Sequence, residues 1–200
     1  MRAVLRKRVL QFVRKQGIAR PRELAALGAP RALLTELKDA GVLRHDGRGL
    51  YSLSTGSMTE HRSLAEAVKR VPKGVICLLS ALRFHDLTVQ NPYEVWIAIE
   101  GRAWKPRVES PPLRVFRFTG SAWREGVERH VIDGVPVAVT SVAKTVADCF
   151  KFRNKVGLEV ALEALHDAWR KKKLNTDELW HCAEVCRILN VVRPYLETLE

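Results

Sequence analysis

Gly17, Pro21, Gly28, Pro30, Gly41 and the Asp46-Gly47 pair cut the start of the chain into pieces too short for anything but brief helices and a hairpin. Within the first piece, Val4, Leu5, Val9, Phe12 and Val13 recur at three- and four-residue steps. Arg6, Lys7, Arg14 and Lys15 occupy the other side, so an amphipathic helix runs to a stop near Gly17. Pro21 sits where a helix-start proline is tolerated, and the spacing predicts a short helix from Arg22 to Leu27, closed by Gly28. A third helix follows Pro30 and ends at about Ala40. Val42–His45 and Leu50–Leu53 read as two short strands around the Asp-Gly turn. Three helices and a hairpin in this order predict the winged form of the helix-turn-helix.

The third helix gives that fold a working surface. Leu33, Leu34 and Leu37 share one side and are expected to pack inward. Arg31, Thr35 and Lys38, spaced i, i+4 and i+7, share the opposite stripe. A helix carrying such a stripe fits the major groove, where Arg bonds guanine bidentately and Thr meets a base edge or the thymine methyl. Arg20 and Arg22, at the start of the second helix, are placed to take phosphates. Arg48, at the tip of the wing, is placed to reach phosphate or the minor groove.

Charge agrees with this placement. The 200 residues carry 34 Lys and Arg against 22 Asp and Glu, a net +12 that calls for a polyanionic partner. Residues 1–57 alone hold 12 basic and 4 acidic side chains. A membrane surface fits less well than double-stranded DNA, because the first helix needs its apolar face for the domain core. A winged helix can also dock on protein, and that reading stands as the interaction-module rival. No apolar run reaches the roughly 18 residues of a membrane span. The opening MRAVLRKRVL interrupts its apolar residues with arginines, unlike a secretory signal. Cys77, Cys149, Cys182 and Cys186 are too few and too dispersed for a disulfide framework, so a reduced, cytoplasmic protein is expected.

Composition changes at Ser54-Thr55-Gly56-Ser57, and Ser57 with Glu60 has capping-box spacing. The expected division is therefore 1–57 and 58–200. In the second part a helix is predicted over 60–71, ended by Pro72-Lys73-Gly74. An apolar run from Val75 to Leu82 reads as a strand turning into a helix. Strands follow at 93–99, with Tyr93, Val95, Ile97 and Ile99 on one face, and at 113–118, 127–132 and 135–139. The last two join across Asp133-Gly134. Helices begin at Ser141, an N-cap, with a Val142, Val146, Cys149, Phe150 stripe. Another stripe comprises Leu158, Leu162, Leu165 and Trp169, and a last helix opens at Asn175-Thr176-Asp177-Glu178. The fold class is thus α+β: an N-terminal winged helix-turn-helix, then an α+β domain with a helical C-terminal tail.

Catalytic chemistry finds little support. Cys182 and Cys186 stand one turn apart beside His181, but Trp180, Ala183, Val185 and Leu189 mark the segment as core, and zinc needs further paired ligands. His85-Asp86 reads as a cap or core feature. Asp133, Glu100 and Lys144 raise a nuclease alternative, with the winged helix as its targeting module, yet the carboxylate-spacer-Glu-x-Lys pattern is missing. There is no P-loop, no Gly-x-Ser-x-Gly and no dinucleotide fingerprint. No catalytic residue, cofactor or metal is expected. Arg102, Lys105 and Arg107 near Trp104 form a basic cluster whose first reading is a solvated loop, with an extension of the nucleic-acid surface as the alternative.

An ordered set of segments carries a family resemblance. It comprises Arg48-Gly49-Leu50-Tyr51, Ser80-Ala81-Leu82-Arg83-Phe84-His85, Trp96-Ile97-Ala98-Ile99, the stretch Thr140 to Phe150, and Gly157 to Leu165. Together they resemble the AbiEi-type antitoxins of type IV, abortive-infection, toxin–antitoxin systems. The resemblance implies a DNA-binding autorepressor of inverted repeats in its own promoter. It also implies a C-terminal domain that counters a nucleotidyltransferase toxin, with no stable complex assumed. Carried over, the DNA-reading role falls on Arg31, Thr35, Lys38 and Arg48.

Overall fold

The computed structural model describes residues 2–46, 49–55 and 59–197. The chain divides into two compact units. One comprises Met1–Pro72 with Val108–Pro111 and Val131–Val137, and the other Lys73–Arg107, Pro112–His130 and Ala138–Glu200. Compact packing in the first unit thus runs past the composition change at 54–57.

The first unit opens with helix α1 (Arg2–Gln16), strand β1 (Ile18–Ala19), α2 (Pro21–Ala26) and α3 (Arg31–Asp39). Strands β2 (Leu43–His45) and β3 (Tyr51–Leu53) and helix α4 (Arg62–Arg70) follow. Pro21 starts α2, and Gly28 leaves it with φ +85°. Val9, Val13, Leu24, Leu33, Leu34, Leu37 and Leu43 form the core. Val4, expected on the inner face of the first helix, is 64% exposed, because the core against α1 is built from Val9 and Val13 further along. The two residues of β1 had no signal in the sequence. They pair antiparallel with β3, giving a three-stranded sheet in the order β1-β3-β2. The Ser57 cap lies outside the described residues; α4 begins at Arg62, after His61.

The second set of elements is β4 (Val75–Ile76), α5 (Leu78–Phe84), β5 (Val95–Glu100), β6 (Leu113–Phe118), the short α6 (Ser121–Arg124), β7 (Val127–Ile132) and β8 (Val135–Thr140). Helices α7 (Val142–Lys151), α8 (Arg153–Val156), α9 (Leu158–Arg170), α10 (Thr176–Val185) and α11 (Leu189–Leu196) complete the chain. The sheet order is β6-β5-β4-β8-β7; β4 runs antiparallel to β5 and parallel to β8, and β5 runs parallel to β6. The fold is therefore mixed α+β, with N-terminal helices and a helical C-terminal tail. Asp133 and Gly134, both at positive φ, make the tight turn between β7 and β8.

Two expected faces are corrected. Strand β5 is buried from Val95 to Ile99, on both faces rather than one. Tyr93 is exposed, because it precedes the first ladder bond, which Val95 N–H makes to Pro112 O at 2.8 Å. On α9 the inward side is Ala161, Ala164, Leu165 and Ala168, which lets the helix pack closely on α7. Trp169, at the end of the predicted stripe, turns partly to solvent.

Helix α7 is buried from Ala143 to Phe150, including two charged residues. Ser141 caps it by accepting Lys144 N–H at 3.2 Å. Lys144, fully enclosed, donates to both carboxylate oxygens of Asp148 one turn on, and its ammonium lies 4.6 Å from the Phe118 ring centre. Cys186 donates its thiol to the same carboxylate at 3.4 Å. Burial alone lowers an ammonium's pKa, but Asp148 outweighs it and the Lys144 value is raised. Removing one partner strands the other charge. Asp148→Ala is expected to cost about 3–5 kcal/mol in urea unfolding, most of it restored by adding Lys144→Met. A loss below about 1 kcal/mol would mean the pair is dispensable.

Candidate nucleic-acid interface

Helix α3 owes its orientation to Leu33, Leu34 and Leu37, all buried. The 3.6-residue repeat then turns Arg31, Thr35 and Lys38 outward, and all three are exposed. The Thr35 hydroxyl donates to Arg31 O at 3.2 Å, so its methyl and its acceptor lone pairs remain for a partner. The helix also carries acids on its outer side. Arg2 of α1 binds Glu36 at 2.6 Å and so offsets one of them beside the basic stripe.

At the start of α2, Arg22 is exposed and Arg20 only partly so. The backbone N–H of Arg20 donates to Glu23 at 2.7 Å, closing the first turn. The Nε of Arg20 is buried without a hydrogen-bond partner among the described residues. Burial first, and then the charge of Arg22, lowers its guanidinium below the ordinary value. Arg48 lies outside the described residues. The structure thus gathers Arg31, Thr35 and Lys38 on one helix face and sets Arg20 just before, and Arg22 within, the first turn of α2.

The hairpin beside this helix is anchored by a network that sequence reasoning missed. Asp46 lies buried where a turn residue is ordinarily exposed. It accepts from Arg44 Nε at 2.8 Å, from the Ser52 hydroxyl and from Arg62 of α4. Arg62 also donates to Ser52 Oγ and to Glu66, both at 3.0 Å, and stands 3.6 Å from the Asp133 carboxylate. Burial raises the Glu66 pKa, against the pull of Arg62. The signal was available in the sequence: Arg62 and Lys69, seven residues apart, fall on the same side of the helix as Ala65 and Val68, and both are buried. Lys69 lies 3.4 Å from Glu23 of α2.

Two residues of the nuclease alternative, Lys144 and Asp133, have other partners. Lys144 is tied to Asp148, and Asp133 accepts Thr59 N–H at 3.3 Å beside Arg62. His181 donates to Glu125 at 2.7 Å, and Cys182 and Cys186 are buried, their thiols pushed up to about 11 and about 12 by burial. Among the described residues no group of three or more His, Cys, Asp or Glu is placed to hold a metal ion, and no helix is long and apolar enough to cross a membrane.

Arg62→Ala leaves Asp46 and Glu66 without their shared cation. It is expected to lower unfolding stability by about 3–5 kcal/mol in a urea titration. An Arg62→Ala protein as stable as the parent would show that the hairpin holds without the network.

No curated protein matches the chain. Residues 7–54, the segment that carries the α3 stripe and the hairpin, are similar to the AbiEi antitoxin family of transcriptional regulators, whose model they match.

Proposed function

We propose that this protein is an antitoxin that represses its own operon, with residues 1–57 acting as a winged helix-turn-helix on double-stranded DNA. The observation that carries the reading is the exposed Arg31–Thr35–Lys38 stripe, held outward by buried Leu33, Leu34 and Leu37 within the segment that matches the regulator family. In this reading α3 enters the major groove of inverted repeats in the protein's own promoter. Arg31 bonds guanine, Thr35 and Lys38 follow the groove, Arg20 and Arg22 hold phosphates, and Arg48 reaches phosphate or the minor groove. Repression is by occupancy: the bound protein covers the promoter, and no catalytic residue takes part.

Residues 58–200 form the antitoxin domain in this reading, counteracting a nucleotidyltransferase toxin without requiring a stable complex with it. The protein acts in the cytoplasm, where promoter and toxin are both met. The net +12 charge favours association with DNA over a neutral protein partner.

A gel-shift titration tests the DNA half, using the protein's own upstream duplex and a scrambled one at two salt concentrations. Affinity should fall with salt at a log–log slope of about −0.9 per phosphate neutralised. Arg31→Ala should cost about 1–3 kcal/mol on the native duplex and leave the scrambled one little changed. Equal loss on both duplexes would make Arg31 a phosphate clamp. Equal, weak binding of the parent protein to both would overturn sequence-specific repression.

A further inference from the structure

The connection from β5 to β6 is built to expose a tryptophan. Its first turn is fixed. Ala103 N–H donates to Glu100 O at 2.9 Å, and Arg117 of β6 donates through one nitrogen to Gly101 O at 2.7 Å and Ala103 O at 2.8 Å. Gly101 lies flush against Thr119, whose methyl would be 2.3 Å from any Cβ placed there. Beyond this clamped stem Trp104 is 96% exposed. Arg102, Lys105 and Arg107 around it are exposed too, and among the described residues none of them makes an ion pair. No acidic residue occurs between Glu100 and Glu109.

A large aromatic ring left in water forgoes the burial that ordinarily stabilises it, and three unneutralised cations beside it repel one another. Both costs are recovered by one kind of partner, an anionic chain that carries flat apolar rings. We propose that the 101–107 loop is a binding site for single-stranded nucleic acid, in which Trp104 stacks on an unpaired base while Arg102, Lys105 and Arg107 hold the flanking phosphates. Duplex DNA does not satisfy the tryptophan, because its base faces are already stacked. An anionic bilayer satisfies the cations, but the loop offers it one aromatic ring with only Ala103 and Pro106 as apolar neighbours, too little for insertion. The site is independent of the α3 stripe, so it stands or falls apart from promoter recognition.

The test uses the full chain and fluorescein-labelled 12-nucleotide probes of mixed sequence, one RNA and one DNA, followed by fluorescence anisotropy. A duplex of the same DNA sequence serves as comparison. Trp104→Ala should weaken single-strand binding about fivefold or more, Trp104→Phe should retain most of it, and neither should change duplex binding. Lys105→Ala should reduce the salt slope on single strands by about 0.7. A preference between the RNA and DNA probes identifies the strand type. Because Trp104 is exposed, neither substitution threatens the fold, and circular dichroism checks this. Single-strand binding unchanged in Trp104→Ala, or lost equally on single strand and duplex, overturns the proposal. So does binding to phosphatidylserine vesicles that depends on Trp104 while single-strand binding does not.

Discussion

A single buried guanidinium organises the N-terminal unit. Arg62 is enclosed by Asp46, Ser52, Glu66 and Asp133, residues drawn from a hairpin, its own helix and the β7–β8 turn. Hydrophobic contact alone does not fix such parts to one another, because apolar surfaces slide at little cost. Planar, directional donors with several carboxylates do fix them, since each misalignment leaves a buried charge without its partner. The short hairpin of β2 and β3 has little apolar surface of its own and is the kind of element that is marginal in isolation. Its orientation beside α3 depends on this polar anchor, and any recognition surface that includes the hairpin inherits that dependence.

The helical core around α7 uses the opposite arrangement. Lys144 and Asp148 pair within one helix, so their geometry is set by the helical repeat itself. Among the described residues the pair's contacts with other elements include the thiol of Cys186 and the ring of Phe118. What it does is keep two charges satisfied inside a helix that is covered on every side. Shape complementarity comes instead from the alanine face of α9 and from the rings of Phe116, Phe118 and Phe152, which meet at centroid distances of 5.4 and 5.5 Å.

Much of this architecture was legible in the residues. Glycine and proline mark the ends of α1, α2 and α3 because those positions need a positive φ or a missing N–H, and such demands are local. The outward stripe on α3 was legible for the same reason, since helical periodicity follows from sequence spacing alone. Burial that depends on distant partners was not. Val4 and Trp169 fit an apolar stripe as well as Val9 and Leu165 do, and only tertiary packing decides which of them is covered. Asp46 carried a turn signal that was correct and incomplete, because its carboxylate serves Arg62, sixteen residues away. The two residues of β1 are too short to show any alternation.

Gly17 and Gly134 meet backbone to backbone: a Cβ on Gly17 would lie 1.4 Å from Asp133 O, and one on Gly134 would lie 2.9 Å from Gly17 N. Most core contacts are negotiable, because a larger side chain on one side can be matched by a smaller one on the other. This contact has no side chain left to shrink. Neither position can compensate for the other, so a library that varies both would return the same residue at each. The pair acts as a gauge block, setting a spacing that later changes in the surrounding sequence must preserve.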